Sequence, residues 1–278
     1  MQATLNLIGS GHVARSLGRL WHRHDGIEVR DVLSRTASNA GAACDFIGGG
    51  RPVVHYADLA PADLILIATP DDQIADCCER LVAGGSIRPG TVVFHCSGSL
   101  PSSVLAPASA CGAHTASIHP VRSFASPEQV VASFAGTWCG VEGNEAALAV
   151  LRPLFTGIGA RLVDIDPAAK TVYHAAAVFA CNYLVTLLDV AVQAYGHAGI
   201  AQDVAMQMMA PLVRKTVEQA FAVGTADALS GPIARGDMAT VARQQAAVAS
   251  WDADKGALYA LLAKETMALA QRKGSVNR

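Results

Sequence analysis

The sequence predicts an α/β protein: a doubly wound sheet, parallel in the main, followed by an all-helical domain. Three observations predict it. A short apolar run, Thr4-Leu5-Asn6-Leu7-Ile8, opens the chain and breaks at a glycine before a helical pattern begins. Apolar runs of strand length then alternate with helical stretches as far as Asp164, as βαβ units do. Beyond Asp166-Pro167 no strand pattern recurs. The boundary is set there, so residues 1–165 and 166–278 are the two expected domains.

The opening run reads as a buried parallel strand, and Val13, Leu17 and Leu20 share one face of the helix after it. Between them Gly9, Gly11 and Ala14 fit the spacing G-x-G-x-x-A. Gly9 makes the tight turn. Gly11 lets backbone approach a pyrophosphate, and Ala14 lets the helix pack close to the strand. The helix N-terminus turns free N–H groups towards the anion. Strand, turn and helix in this order predict a Rossmann-like dinucleotide site on Gly9, Ser10, Gly11, His12 and Val13. The plainer alternative is a glycine-rich turn in such a fold that binds nothing.

A second strand, Gly26 to Leu33, ends in Ser34-Arg35-Thr36. This junction separates the two nicotinamide cofactors. A carboxylate here would hydrogen-bond the adenosine ribose and repel a 2′-phosphate. Ser34, Arg35 and Thr36 instead offer a cation and two hydroxyls, and guanidinium suits phosphate. NADP is therefore expected over NAD. Asp31 lies earlier in the strand and is less well placed; the alternative for Arg35 is a solvated loop cation.

A helix from Ala37 to Phe46 and a turn at Gly48-Gly49-Gly50 lead to a third strand, Pro52 to His55. Asp63 to Ala68 is the clearest strand, a continuous apolar run of the kind a doubly covered sheet requires. It ends in Thr69-Pro70-Asp71-Asp72, before a helix from Gln73 to Val82. The fifth strand, Thr91 to Cys96, ends in Ser97-Gly98-Ser99. Doubly wound sheets bind ligands outside the carboxyl ends of their strands. One crevice should thus be lined by Gly9 to Val13, Ser34 to Thr36, Thr69, Pro70, Ser97 and Gly98, with Ser97 and Gly98 at the nicotinamide end. The alternative for Ser97 is a hydroxyl bonding its own loop. A sixth strand, Ala113 to Ile118, precedes His119-Pro120; the proline holds His119 extended, and its imidazole could exchange a proton near neutral pH. Two more strands, Thr137 to Val141 and Arg161 to Asp164, flank a helix from Glu145 to Phe155 and extend the sheet.

Asp166 is a good N-cap and Pro167 a good first helical residue. From there to His197 the pattern reads as one long helix, apolar nearly all round and so expected to be buried. Helices at 202–223, 238–250 and 254–273 follow. Lys170 and His174 are four apart and share a helix face. Asn182 lies further along. Facing a substrate, Lys170 could stabilise charge on a carbonyl oxygen and His174 could transfer a proton. The competing reading is a solvated Lys170 and a structural His174. Two glycines and a proline break the helices at Ser230 to Asp237, where Arg235 could clamp an anionic group and Asp237 could cap the next helix.

Composition narrows the function. Of 278 residues 51% are hydrophobic and 16% charged, and the net charge is -2. That gives no electrostatic footprint for nucleic acid. No uninterrupted apolar window of bilayer-spanning length and no leader pattern are read, so neither a membrane nor secretion is expected. The seven cysteines are scattered, without metal-ligand spacing. They read as reduced thiols of a cytoplasmic protein with no metal.

With these residues in view, the chain resembles the bacterial family that joins an N-terminal Rossmann-like domain to a C-terminal helical domain of unknown function. The motifs that carry the resemblance are Gly9-Ser10-Gly11-His12-Val13-Ala14, His95-Cys96-Ser97-Gly98-Ser99, Ile118-His119-Pro120, Tyr173-His174-Ala175-Ala176-Ala177, Asn182-Tyr183 and Gly231 to Asp237. Members are described as NADP-linked oxidoreductases. The resemblance extends to pyrroline-5-carboxylate reductase, 6-phosphogluconate dehydrogenase and deazaflavin-dependent NADP oxidoreductases. It implies a helical half like the C-terminal domain of 6-phosphogluconate dehydrogenase, a small-molecule substrate between the halves, and a homodimer formed through the helices. The resemblance does not itself supply a reaction; the reading taken from the residues is hydride transfer between NADP and a carbonyl or imine carbon. His174 or His119 would supply the proton, Lys170 would assist, and Asn182 and Arg235 would orient substrate. Hydroxyacid dehydrogenases place an asparagine four residues after the helix lysine; here that position is His174. The alternatives are an NADP-binding sensor or subunit without catalysis, and a deazaflavin-dependent NADP oxidoreductase.

Overall fold

The computed structural model describes residues 2–24 and 27–273. Gly26, expected to begin the second strand, lies outside them. By its internal contacts the chain divides into two compact units between Phe179 and Ala180, one helix later than the change of pattern at Asp166.

Among the described residues the first unit holds eight strands: β1 (Thr4–Ile8), β2 (Glu28–Leu33), β3 (Arg51–Val53), β4 (Leu64–Ile67), β5 (Val92–His95), β6 (His114–Pro120), β7 (Trp138–Gly143) and β8 (Arg161–Asp164). Its helices are α1 (His12–His24), α2 (Ala37–Ile47), α3 (Ile74–Ala83), α4 (Ala106–Ala110), α5 (Pro127–Ser133), α6 (Glu145–Gly157) and α7 (Lys170–Ala180). The strands form one sheet in the order β3-β2-β1-β4-β5-β6-β7-β8. Neighbours run parallel except β6 and β7. The order reverses between β1 and β4, the switch point where such sheets open a crevice.

Both faces of the sheet are covered, which is why β4 and β5 are buried along their whole length. On one face Trp21 of α1 meets Phe94 and Phe155 edge to face, with centroids 6.1 and 5.2 Å away. Its indole N–H donates to the Leu154 carbonyl at 3.2 Å. Ala14 is fully buried at the closest approach of α1, as its place in the motif requires. On the other face Ile65, Ile67 and Val93 pack with Cys77, Cys78 and Leu81 of α3 and Leu105.

Two differences from the sequence reading concern the site. His119 was expected after the sixth strand but lies within β6, opposite Gly140 of β7. The proline that follows does not end the strand, because Pro120 still pairs with Cys139 in the ladder. The long helix is also broken. Asp166 caps a 3₁₀ turn at Pro167–Ala169 by accepting from the Ala168 N–H at 2.9 Å, α7 follows, and the chain breaks at Cys181 before α8 (Asn182–His197).

Nor is this stretch buried. Val172 is 74% exposed and Val185 64%, and no residue of α8 is buried. By length and composition Pro167–His197 could span a bilayer, contrary to the expectation that no window would. One helix of this kind is weak evidence, since soluble proteins carry such helices too. Lys170, near its start, is held in an ion pair with Glu142 of β7.

The second unit contains α8, α9 (Gln202–Val223), α10 (Thr225–Ala228), α11 (Met238–Trp251) and α12 (Ala253–Gln271). Helices α11 and α12 approach closely at Gly256, where a Cβ would stand 2.6 Å from Ala249 Cα. Asp237 caps α11 by accepting from the Thr240 N–H at 3.0 Å.

Candidate functional site

The turn after β1 has the geometry a pyrophosphate needs. Gly9 sits at φ +111°, and a Cβ on it would stand 2.6 Å from the Ala68 carbonyl oxygen. Only glycine fits there. Gly11 is exposed, and a Cβ on it would meet nothing within 4 Å, so its backbone is open to a ligand. Helix α1 starts at His12 with no acidic residue in its first turn, leaving its N-terminal field free for an anion. Arg15 Nε donates to the Ser10 carbonyl at 2.9 Å, and His12 Nδ1 lies 2.5 Å from the Phe124 carbonyl oxygen. Thr69 Oγ1, at the neighbouring strand end, is buried without a hydrogen-bond partner among the described residues. An orphaned hydroxyl beside an open glycine turn fits a polar ligand.

At the end of β2 the charges are sorted. Asp31 is 1% exposed and wholly engaged: Arg51 donates to it at 2.8 and 3.1 Å and the Ala60 N–H at 2.7 Å. It has no oxygen to offer a ribose. Arg35 is exposed and has no partner among the described residues. Ser34 Oγ shares a hydrogen bond with Ser10 Oγ at 2.8 Å, tying this junction to the glycine turn. Thr36 is the N-cap of α2, accepting from the Asn39 N–H at 3.2 Å, so its oxygen is partly committed. Pro70 is exposed at the start of the turn after β4. The residues present fit a dinucleotide.

Beyond the turn a cavity of about 220 Å³ is lined by Val13, Asp71, Gly98, His119, Phe124 and His174 among others. His119 comes from β6 and His174 from α7. Their rings are nearly perpendicular, with centroids 5.5 Å apart. Gly98 is buried where they converge: a Cβ there would be 2.3 Å from His174 Nδ1 and 2.8 Å from His119 Nε2. Burial, with His174 and Lys170 nearby, pushes the His119 pKa down to about 4. His174 Nδ1 is buried without a hydrogen-bond partner among the described residues. His119 Nδ1 and Tyr173 Oη are 3.0 Å apart.

The loop bearing Gly98 is fixed by Asp71. Ser97 Oγ and Ser99 Oγ donate to Asp71 Oδ2 at 2.7 and 2.8 Å, and Ser97 Oγ accepts from the Leu100 N–H at 3.0 Å. Ser97 therefore takes the loop-bonding role set beside the cofactor role for it. His95 lies below, fully buried, its Nδ1 accepting from the Ser97 N–H at 3.1 Å. Burial, with Lys170 nearby, lowers its pKa to about 4.

Lys170 departs from expectation. It was expected at the substrate and is instead 1% exposed, bonded to Ser117 Oγ and 3.3 Å from Glu142 Oε1. The Ser102 N–H and Oγ hold the two Glu142 oxygens at 2.7 Å each. Burial lowers the Lys170 pKa against the opposing pull of Glu142. The first turn of a helix normally lets a lysine reach water; here a carboxylate on β7 draws it under the sheet edge. Asn182 and Arg235 belong to the second unit and are exposed.

Residues 2–120 match the model of a Rossmann-like domain, and residues 137–266 match that of the domain of unknown function DUF2520. The chain is similar to the protein TM1727 from Thermotoga maritima, with 24% identity over 99% of this chain and 100% of that one and a TM-score of 0.79. It is similar to the "putative NADP oxidoreductase" BF3122 from Bacteroides fragilis, with 23% identity over 96% and 98% of the two chains and a TM-score of 0.75. It is also similar to the pyrroline carboxylate reductase of Plasmodium falciparum with NADP bound, at 12% identity, 96% and 98% coverage and a TM-score of 0.55. These likenesses are of fold, and the fold is one that nicotinamide-dependent oxidoreductases use. No curated protein matches the chain in sequence.

Proposed function

We propose that the protein is an NADP-dependent reductase or dehydrogenase that moves hydride between the nicotinamide and a carbonyl or imine carbon of a small molecule. The observation that carries this reading is the line of groups along the carboxyl ends of the strands. An open glycine turn comes first, then an orphaned Thr69 hydroxyl, then two imidazoles meeting at Gly98. When bound, the cofactor supplies the hydride chemistry. The chain supplies the rest. The N–H groups from Gly9 to Val13 bind pyrophosphate. Arg35 and Ser34 take the 2′-phosphate, which the engaged Asp31 carboxylate does not contest. His119 and His174 flank the reacting group, and Lys170 acts behind them by holding α7 to the sheet. Asn182 and Arg235 are the substrate-orienting residues of the second unit.

The apolar α7–α8 stretch, exposed in the single chain, supports a homodimer that covers it. A net charge of -2 supports a protein without nucleic acid as partner, and the reading places the enzyme in the cytoplasm with its apolar helices covered by the second copy. Calorimetric titration of the full chain tests the cofactor. NADPH should bind more tightly than NADH, and saturable binding of neither overturns the reading. Sedimentation tests the dimer, and a monomer at micromolar concentration overturns that part alone.

A further inference from the structure

We infer that Tyr173 sets the tautomer of His119, so that Nε2–H faces the cavity as a neutral donor and the site takes a carbonyl oxygen rather than a protonated imine. The substrate half of this rests on the reading above; the tautomer half does not.

Three elements build the arrangement. His119 and Gly140 are directly opposed across the antiparallel β6–β7 pair. Tyr173 of α7 places its phenol over Gly140, where a Cβ would stand 2.6 Å from Oη. Any side chain at 140 would therefore evict the phenol. Gly140 leaves Oη 3.0 Å from His119 Nδ1, with the two rings at 88°.

The direction of that hydrogen bond follows from the two groups' chemistry. Burial raises the phenol pKa and lowers that of the imidazole, so both are neutral near pH 7. A phenol O–H is a far better donor than a neutral imidazole N–H, and an imidazole lone pair a better acceptor than a phenol oxygen. Nδ1 is the only acceptor found for the Tyr173 proton among the described residues. A neutral imidazole accepting at Nδ1 carries its proton at Nε2.

Nε2 lies 2.8 Å from where a Cβ of residue 98 would be, and His174 Nδ1, unpartnered among the described residues, adjoins the same point. A fixed N–H donor in a partly desolvated cavity selects an acceptor atom. A carbonyl oxygen is one; the nitrogen of a protonated imine has no lone pair. The Asp71 carboxylate in the lining already accepts from two serine hydroxyls on Oδ2. Tyr173 is thus a positioning residue, and His119 the group that meets substrate.

The test is a long-range ¹H–¹⁵N spectrum of the labelled full chain at pH 7, with His119 assigned by its loss in His119→Gln. A protonated Nε2 and an unprotonated Nδ1 are expected. Tyr173→Phe should turn this into an averaged mixture of tautomers. A wild-type ring protonated at Nδ1 overturns the inference without any variant; an unchanged pattern in Tyr173→Phe overturns the role of Tyr173. For the substrate half, NADPH oxidation is followed with aldehydes and ketones against N-methylated cyclic iminium ions, whose nitrogen has no lone pair at any pH. Carbonyl compounds should win by about tenfold or more in kcat/KM; a smaller ratio, a reversed one, or turnover of neither class overturns it. Failure of NADPH to bind sinks the proposed function and leaves the tautomer result standing.

Discussion

Replacing Lys170 with methionine keeps the length of the side chain and removes its charge. In the parent the ammonium is 3.3 Å from Glu142 Oε1, and the two side chains are 1% and 2% exposed. Breaking a buried pair from one side costs about 3–5 kcal/mol, because a charge is left behind without its partner. Glu142 would keep two donors, the N–H and Oγ of Ser102 at 2.7 Å each, which holds the cost near the low end, about 3 kcal/mol. The Lys170→Met, Glu142→Gln double variant strands no charge and should recover to within about 1 kcal/mol of the parent. The assay is urea denaturation of all four proteins, with the slope fitted rather than fixed, since a chain of two compact units need not unfold in one step. The reasoning fails if Lys170→Met alone costs less than about 1 kcal/mol, or if the double variant loses the sum of the singles.

Gly98→Ala should destabilise by about 1–3 kcal/mol, as overpacking does, and should shift the imidazole resonances of His119 and His174, because its Cβ would stand 2.3 Å from His174 Nδ1; an unshifted pair of rings would contradict the geometry. Arg35→Ala should weaken NADPH by about 1.5–3 kcal/mol, roughly 10- to 100-fold, and leave NADH unchanged by calorimetry. Equal losses for both would show that Arg35 does not read the 2′-phosphate. The folded pKa values of His95 and His119, about 4 against 6.5 for a free side chain, give a pH window with a definite sign. Between these values the unfolded chain binds more protons, so stability is complete above pH 6.5 and is lost as pH falls towards 4. Each unit of pKa depression withdraws about 1.4 kcal/mol at the acid end. Urea midpoints that stay flat across the window in the parent, or that keep their slope in His119→Gln, would count against it.

The sheet was legible because its strands are continuous apolar runs set between turn residues, and burial on both faces demands that. The glycine turn was legible because its spacing is local. His119 was misplaced by one strand end because Pro120 reads as a breaker, whereas the ladder accommodates it opposite Cys139. Cys181, where the long helix breaks, is neither glycine nor proline and carries no local signal. The apolar stretch around it reads as core by composition; that it is exposed in one chain is a property of assembly, which periodicity does not encode. Asp71, Glu142, Ser117 and Gly140 were missed as site residues because each acts through a partner far away in sequence. The Lys170–Glu142 pair spans 28 positions, and Lys170–Ser117 spans 53. A lone buried lysine on an alanine-rich helix was the one available clue, since such a charge requires a partner.

That partner explains why the residues following Lys170 can be placed so finely. Lys170 opens α7, and Tyr173 and His174 lie one turn on, the spacing that puts them above it. The ion pair fixes the start of the helix against β7, and the same strand supplies Gly140, the gap into which Tyr173 fits. On the opposite wall Asp71 holds the Ser97–Ser99 loop so that Gly98 meets both imidazoles. Each wall thus pairs a polar anchor, the buried Lys170–Glu142 pair on one side and the Asp71 carboxylate on the other, with a glycine that admits an aromatic ring. A site built this way tolerates little movement, because a displacement of about 1 Å at such contacts is enough to cost two orders of magnitude in rate. The lysine that the sequence pattern assigns to chemistry is therefore, in the structure, an anchor that sets where Tyr173 and His174 stand.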